Sequence, residues 1–242
     1  MVHTLPDYTT KYKMTTIFGN IDDAELAARL GSINTFDRRG KIFWYDDFEG
    51  TSLQWLIDAL GTGASIDITM ERWRSRTQSV KLITGDAGTD YVSLSKYFFL
   101  PRESRVGVEF SIITNSNVKD IQLFLTTWDG TYQYSPKCVI DVENDKVKYL
   151  NSSGSEEELG PAGIVDESLS LWSTVKMVID YTKKEYVRVQ YNKDIYSLEG
   201  EPIGKALSDL DKILFVDIQI RNKDANNRTS YIDDFILTQG EP

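Results

Sequence analysis

Trp44-Tyr45-Asp46-Asp47-Phe48-Glu49 and Tyr231-Ile232-Asp233-Asp234-Phe235-Ile236-Leu237 form a near-repeat at the two ends of the folded part of the chain. Each is an aromatic-rich strand interrupted by paired carboxylates. If the first and last strands of an all-β sandwich pair antiparallel, the two segments lie side by side and alternate residues are buried. Phe48 and Phe235 then point into the core, and the carboxylates gather on one edge.

Working outward, the chain reads as strand after strand. Aromatic residues make up 12 % of the 242 residues, and Val, Ile, Thr and Tyr are abundant, a composition that suits a pleated, half-buried surface. Alternation predicts strands over 65–71, 79–84, 91–99, 105–113, 120–127, 137–142, 146–150, 172–181, 185–191, 194–198, 212–221 and 230–237. Turn chemistry separates them, as at Gly85-Asp86-Ala87-Gly88, Asp129-Gly130 and Asn192-Lys193. This spacing indicates a two-sheet antiparallel jelly-roll sandwich over 44–242. Residues 203–210 read as a short helical connection, and 155–163, with Glu156-Glu157-Glu158, as a solvated loop.

Residues 1–43 differ in composition and read as an N-terminal arm. Asp22 can cap a short helix from Asp23 to Leu30, ended by Gly31. The arm's apolar residues Ile17, Phe18, Ile21, Leu26 and Leu30 are too few for a core of their own, so they are expected to pack on the sandwich or on a neighbouring subunit. A net charge of −10 and pI near 4.7 argue against nucleic acid as a partner. The N-terminus shows no basic and apolar leader, and no run reaches the roughly 18 apolar residues of a membrane span. Synthesis in a cytoplasm without a signal peptide is the expectation. Cys138 is the single cysteine, at an apolar strand position, and reads as a buried inert thiol; the single histidine, His3, lies remote from it in the arm.

The run Leu171-Trp172-Ser173-Thr174-Val175-Lys176-Met177-Val178-Ile179-Asp180, followed by Tyr186-Val187-Arg188-Val189-Gln190-Tyr191, resembles the back half of concanavalin A-like lectin and laminin-G-like jelly rolls. The Asp46-Asp47-Phe48-Glu49 and Tyr231-Ile232-Asp233-Asp234-Phe235 segments are similar to that superfamily and to jelly-roll carbohydrate-binding modules. The resemblance implies a fold and, more loosely, ligand-binding habits, since the superfamily holds lectins, glucanases, adhesive modules and virus surface proteins. It also implies a place for a structural Ca²⁺ between first and last strands, which Glu49 and Asp234 match. The alternative is that these carboxylates are solvated or bound to backbone N–H groups and nearby basic residues.

No catalytic constellation survives inspection. Glucanases of this superfamily carry Glu-x-Asp-x-(x)-Glu on one strand, because nucleophile and general acid must share a face. The nearest match, Ser65-Ile66-Asp67-Ile68-Thr69-Met70-Glu71, has serine at the first position, and simple alternation accounts for it. Two surfaces invite binding. Trp128, Asp129, Tyr132, Gln133 and Tyr134 concentrate aromatic and polar groups at a hairpin tip, where a sugar could stack, or Trp128 and Tyr134 could fold inward. Arg72, Arg74 and Arg76 alternate and could meet an acidic partner or a second copy. The layout of arm, acidic jelly roll and missing chemistry is similar to phage decoration, tail and fibre-head proteins. The sequence reading is therefore a non-catalytic structural protein anchored through its arm in an assembly or homo-oligomer, on a virion surface. A glycan-binding lectin-like module is the alternative, and a glycoside hydrolase the third reading.

Overall fold

The structure, a computed structural model, describes residues 40–99, 104–114, 116–163 and 171–242. Every regular element among them is a strand. In chain order these are β1 (Lys41–Asp46), β2 (Leu56–Ala59), β3 (Ser65–Thr69), β4 (Ser79–Ile83), β5 (Tyr91–Phe98), β6 (Arg105–Thr114), β7 (Val118–Trp128), β8 (Tyr132–Tyr134) and β9 (Lys137–Asp141). They continue as β10 (Lys146–Leu150), β11 (Glu156–Pro161), β12 (Ser173–Asp180), β13 (Glu185–Tyr191), β14 (Asp194–Ser197), β15 (Lys205–Leu207), β16 (Leu214–Asn222) and β17 (Thr229–Gln239). The first sheet is ordered β14-β13-β12-β6-β17-β4-β3, with β1 also on β17. The second is ordered β11-β10-β9-β7-β16-β5-β2, with the short β8 and β15 added beside β7. All pairings are antiparallel, as a jelly-roll sandwich requires.

The near-repeat closes the first sheet as its alternation predicts. Trp44 faces Leu237, Tyr45 faces Ile236 and Asp46 faces Phe235. Phe48 and Phe235 are buried. Between the sheets Trp44 packs edge to face on Phe98, Phe235 and Trp55, and Trp55 on Phe235, with Trp55 and Phe235 centroids 4.8 Å apart and Trp44 and Phe98 centroids 5.2 Å apart. Such contacts add to the area term of burial. The Trp55 indole N–H donates to Asp46 Oδ2 at 3.0 Å, so a buried donor is satisfied by one of the paired carboxylates.

The two copies differ in backbone. After Asp46 the chain leaves its strand, and Phe48 adopts the left-handed region (φ 54°) while its N–H donates to Asp46 Oδ1. In the second copy the strand continues through a bulge: Asp233 pairs with Ser111 and Ile236 with Glu109, and Asp234 takes φ 53° to absorb the extra residue.

Two expectations are corrected. Residues 155–163 hold β11, the edge strand beside β10, whose Glu156 pairs with Lys137 of β9 and Glu158 with Lys146 of β10, so the glutamates line a sheet edge. Residues 203–210 hold β15, which pairs with β8 and is not helical. The arm helix and Ile17, Phe18, Ile21, Leu26 and Leu30 lie outside the described residues, as does His3. Strand β1 begins at Lys41, so regular pairing starts upstream of residue 44.

Candidate ligand-binding face

In β16, Leu214, Val216, Ile218 and Ile220 enter the core, so Phe215, Asp217, Gln219 and Arg221 stand on the outer face of the second sheet. The same alternation puts Tyr91, Ser93, Ser95 and Tyr97 of β5 and Asp120, Gln122, Phe124 and Thr126 of β7 on that face, because Val92, Leu94 and Phe98, and Ile121, Leu123 and Leu125, are in the core. Register then aligns them in rows. Tyr97, Phe215 and Thr126 form one row; Leu56 lies beside Ser95 in the next, followed by Asp217, Phe124 and Lys137. Asp58, Ser93, Gln219 and Gln122 form a third, and Tyr91, Arg221, Asp120 and Asp141 a fourth.

The rows pass from apolar to ionic. Tyr97 and Phe215 rings lie 4.7 Å apart at 41°, and Tyr97, Phe99 and Leu56 are exposed. The Tyr91 hydroxyl donates to Asp58 at 2.7 Å. At the far end Arg221 Nε donates to Asp120 Oδ1 at 2.7 Å and its second nitrogen binds Oδ2, a fork that fixes both groups. Asp217 sits where the two regimes meet. Its Oδ1 is buried without a hydrogen-bond partner. Burial pushes its carboxyl up to about 6, opposed by a hydrogen bond from Ser93 and reinforced by the charge of Asp58. An aromatic shelf beside hydrogen-bonding groups is chemically suited to a ring with an apolar C–H face and a hydroxylated rim.

The residues singled out from the sequence are placed differently. Trp128 is only 7 % exposed, and Tyr134 is buried as well. The Trp128 ring therefore cannot serve as a free stacking platform: β8 pairs with β7 at Trp128 on one side, and the Trp128 backbone N–H donates to the Ile213 carbonyl on the other. Asp129 Oδ1 accepts the N–H groups of Thr131 and Tyr132, which closes the turn and holds its carboxyl below the usual range. Gln133 bonds Ser135, and Lys205 lies 4.5 Å over the Tyr132 ring.

Arg72, Arg74 and Arg76 lie in the loop between β3 and β4 and do not form one stripe. Arg74 reaches Ser111 and Thr174 on the outer face of the first sheet, Arg76 pairs with Asp47 at 2.7 Å, and Arg72 is exposed. The same loop is where the near-repeat's carboxylates go. Asp233 Oδ2 accepts the N–H groups of Arg74 (2.8 Å) and Ser75 (3.0 Å), and Asp234 Oδ1 the Ser75 hydroxyl (2.6 Å). Glu49 Oε1 accepts the N–H groups of Thr77 and Gln78, both at 2.7 Å, and Oε2 the Thr77 hydroxyl. Glu49 and Asp234 thus clasp one loop without converging on a point, whereas calcium takes about six to eight oxygens. Among the described residues no group of His, Cys, Asp or Glu side chains is arranged to hold a metal ion. Cys138 is buried, and burial pushes its thiol up to about 12.

The residues of the outer face were not singled out from the sequence, although the alternation of residues 214–221 carries the signal. No protein-family model matches the chain, and no curated protein matches it. Solved structures do. The endo-β-1,4-glucuronan lyase from Trichoderma reesei is 11 % identical, with a TM-score of 0.58 over 82 % of this chain and 96 % of that one. The cellulose-induced protein Cip1 is 14 % identical, with a TM-score of 0.55 over 81 % and 96 %. The carbohydrate recognition domain of Emp46p, in its potassium-bound form, is 10 % identical, with a TM-score of 0.52 over 80 % and 94 %. These are likenesses of fold alone, and they bear out the two-sheet antiparallel sandwich. No helix of the described residues is long and apolar enough to cross a membrane.

Proposed function

We propose that the protein binds carbohydrate on the outer face of its second sheet, through the Tyr97–Phe215 shelf and the polar row around Asp217. The observation that carries this reading is the juxtaposition across β5, β16 and β7 of an aromatic pair, Tyr97 exposed and Phe215 half-buried, a half-buried carboxyl with an unpartnered oxygen, and the hydroxyl and amide groups of Ser93, Ser95 and Gln219. Sandwiches of this fold that carry carbohydrate recognition in their names lend it support.

The reading is of binding without bond cleavage. In the glucanase-like stretch Asp67 is exposed on edge strand β3, while Glu71 receives the Lys81 ammonium and the Tyr231 hydroxyl, at 2.7 and 2.8 Å. An assembly role draws its support from the arm, outside the described residues, and from an arginine stripe that does not form, so the saccharide reading is the one put forward.

The test is a glycan array followed by calorimetry on Tyr97→Ala and Phe215→Ala. Stacking is worth about 0.5–1.5 kcal/mol beyond area burial, so each variant is expected to weaken binding about tenfold or more while the melting temperature changes little. An array with no saccharide bound, or variants that bind like the parent, would sink the reading.

A further inference from the structure

We propose that this face selects uncharged saccharides and turns away those bearing uronate carboxylates. The inference rests on the saccharide-binding reading and concerns which members of that class the face admits.

The argument begins with the cations. Basic side chains on the outer face of the second sheet and at its margin hold carboxylates. Arg221 forks onto Asp120, and Lys148 binds Asp141 at 2.5 Å. Lys137 binds Glu156 at 2.7 Å, and Lys146 binds Glu158 at 2.6 Å. These pairs cancel one another, and all but Arg221, which extends from β16 in the fourth row, stand on β7, β9, β10 and β11.

The first three rows of the face, where β2, β5 and β16 carry the aromatic shelf, are different. Their outward charged groups on those strands are Asp58 and Asp217, and among the described residues neither pairs with a cation. Asp58 accepts from the Tyr91 hydroxyl, and Asp217 keeps one oxygen without a partner. Register places Asp58 beside Ser93 and Asp217 beside Ser95, so the two acids flank the serines of β5.

A ligand lying along the Tyr97–Phe215 shelf therefore meets carboxyls, hydroxyls and amides. Sugar hydroxyls can donate to the first and exchange bonds with the others. A uronate carboxylate cannot donate; on these rows, among the described residues, it finds only cations already paired with carboxylates, and the two acids repel it. To gain a cation it must break an existing pair, which forfeits as much as it gains. Burial raises the Asp217 carboxyl, as expected for an acid that no cation compensates. The groups facing it are Ser93, Ser95 and Tyr97 of β5, Asp58 of β2, and Phe124 of β7.

The experiment uses matched oligosaccharide pairs that differ only at C6: glucose with glucuronate, mannose with mannuronate and galactose with galacturonate oligomers. Affinities are measured by calorimetry at pH 7.5 in low salt. Any neutral oligomer that binds is expected to bind at least tenfold tighter than its uronate counterpart. The gap should narrow for Asp217→Asn and with added salt, which screens exposed charges. Uronates bound as tightly as, or more tightly than, their neutral partners would overturn the selectivity and leave carbohydrate binding standing. Binding of neither series would overturn both.

Discussion

The two sheets turn outer faces of opposite character to their surroundings, although both arise from the same two-residue alternation. On the first sheet Glu109, Ser111, Lys176, Gln190 and Glu241 are all buried, and Lys176 is only 1 % exposed. Lys176 and Glu241 pair at 2.8 Å, Arg188 joins the same carboxylate, and Thr238 donates to it. Gly107 lies under this cluster, where an added Cβ would come within 2.8 Å of a Glu241 oxygen. On the second sheet Tyr97, Phe215 and Asp217 keep part of their surface open. Polar side chains on a sheet's outer side are thus not in themselves a sign of a binding face. What distinguishes one is whether its groups have already found each other.

The sharpest way to break this contrast is Glu241→Ala. Removing one member of a buried, hydrogen-bonded charge cluster costs about 3–5 kcal/mol, so urea unfolding should show a loss of that size with glycan binding retained. A loss below about 1 kcal/mol would mean that the closed face is not held by its charges. Trp128→Ala comes next. Because the ring is buried, the variant should lose about 3 kcal/mol yet still bind saccharide; lost binding at unchanged stability would return the site to the hairpin tip.

Asp217→Asn tests the open face, and its sign depends on pH. The folded carboxyl is raised to about 6, so the native state binds more protons than the unfolded one between the unfolded value, about 3.9, and that point. Stability from this group is present at low pH and is lost as pH rises through 6. Asparagine should therefore stabilise the protein by about 1–2 kcal/mol at pH 7.5 and change nothing below pH 3.5. A destabilised variant at pH 7.5 would show that the ionised carboxylate is compensated after all. The smallest effect is expected from chelation: the near-repeat's acids hold loop amides, so EDTA should leave the melting temperature unchanged. A drop restored by calcium would overturn that account.

Much of the fold could be read from local pattern, and the reasons for the failures are specific. Alternation located the long strands, and the aromatic-acid near-repeat correctly paired β1 with β17. It failed at Glu156-Glu157-Glu158, where solvated composition is also what a protected edge strand needs, and at residues 205–207, too short to carry a period. The binding face was harder to see. Phe215 and Asp217 alternate visibly, but their neighbours Tyr97 and Phe124 arrive through the non-consecutive order β7-β16-β5. For Trp128 the sequence left both placements open, and the inward one is found, because β8 and the chain at residue 213 flank the hairpin tip.

Strand β17 lies between β6 on one side and β4 with β1 on the other, and β16 lies between β7 and β5. While the chain is emerging from a ribosome, the first sheet therefore exists only as separate hairpins, β3-β4 and β6-β12-β13-β14, and the second is likewise in pieces. At about 5–20 residues per second, these pieces wait several seconds with unpaired edges and apolar inner faces. The two strands that join them are the last two of the sandwich in chain order. Folding of this sandwich is thus a late closure, in which the earlier hairpins wait until β16 and β17 are free to insert between them.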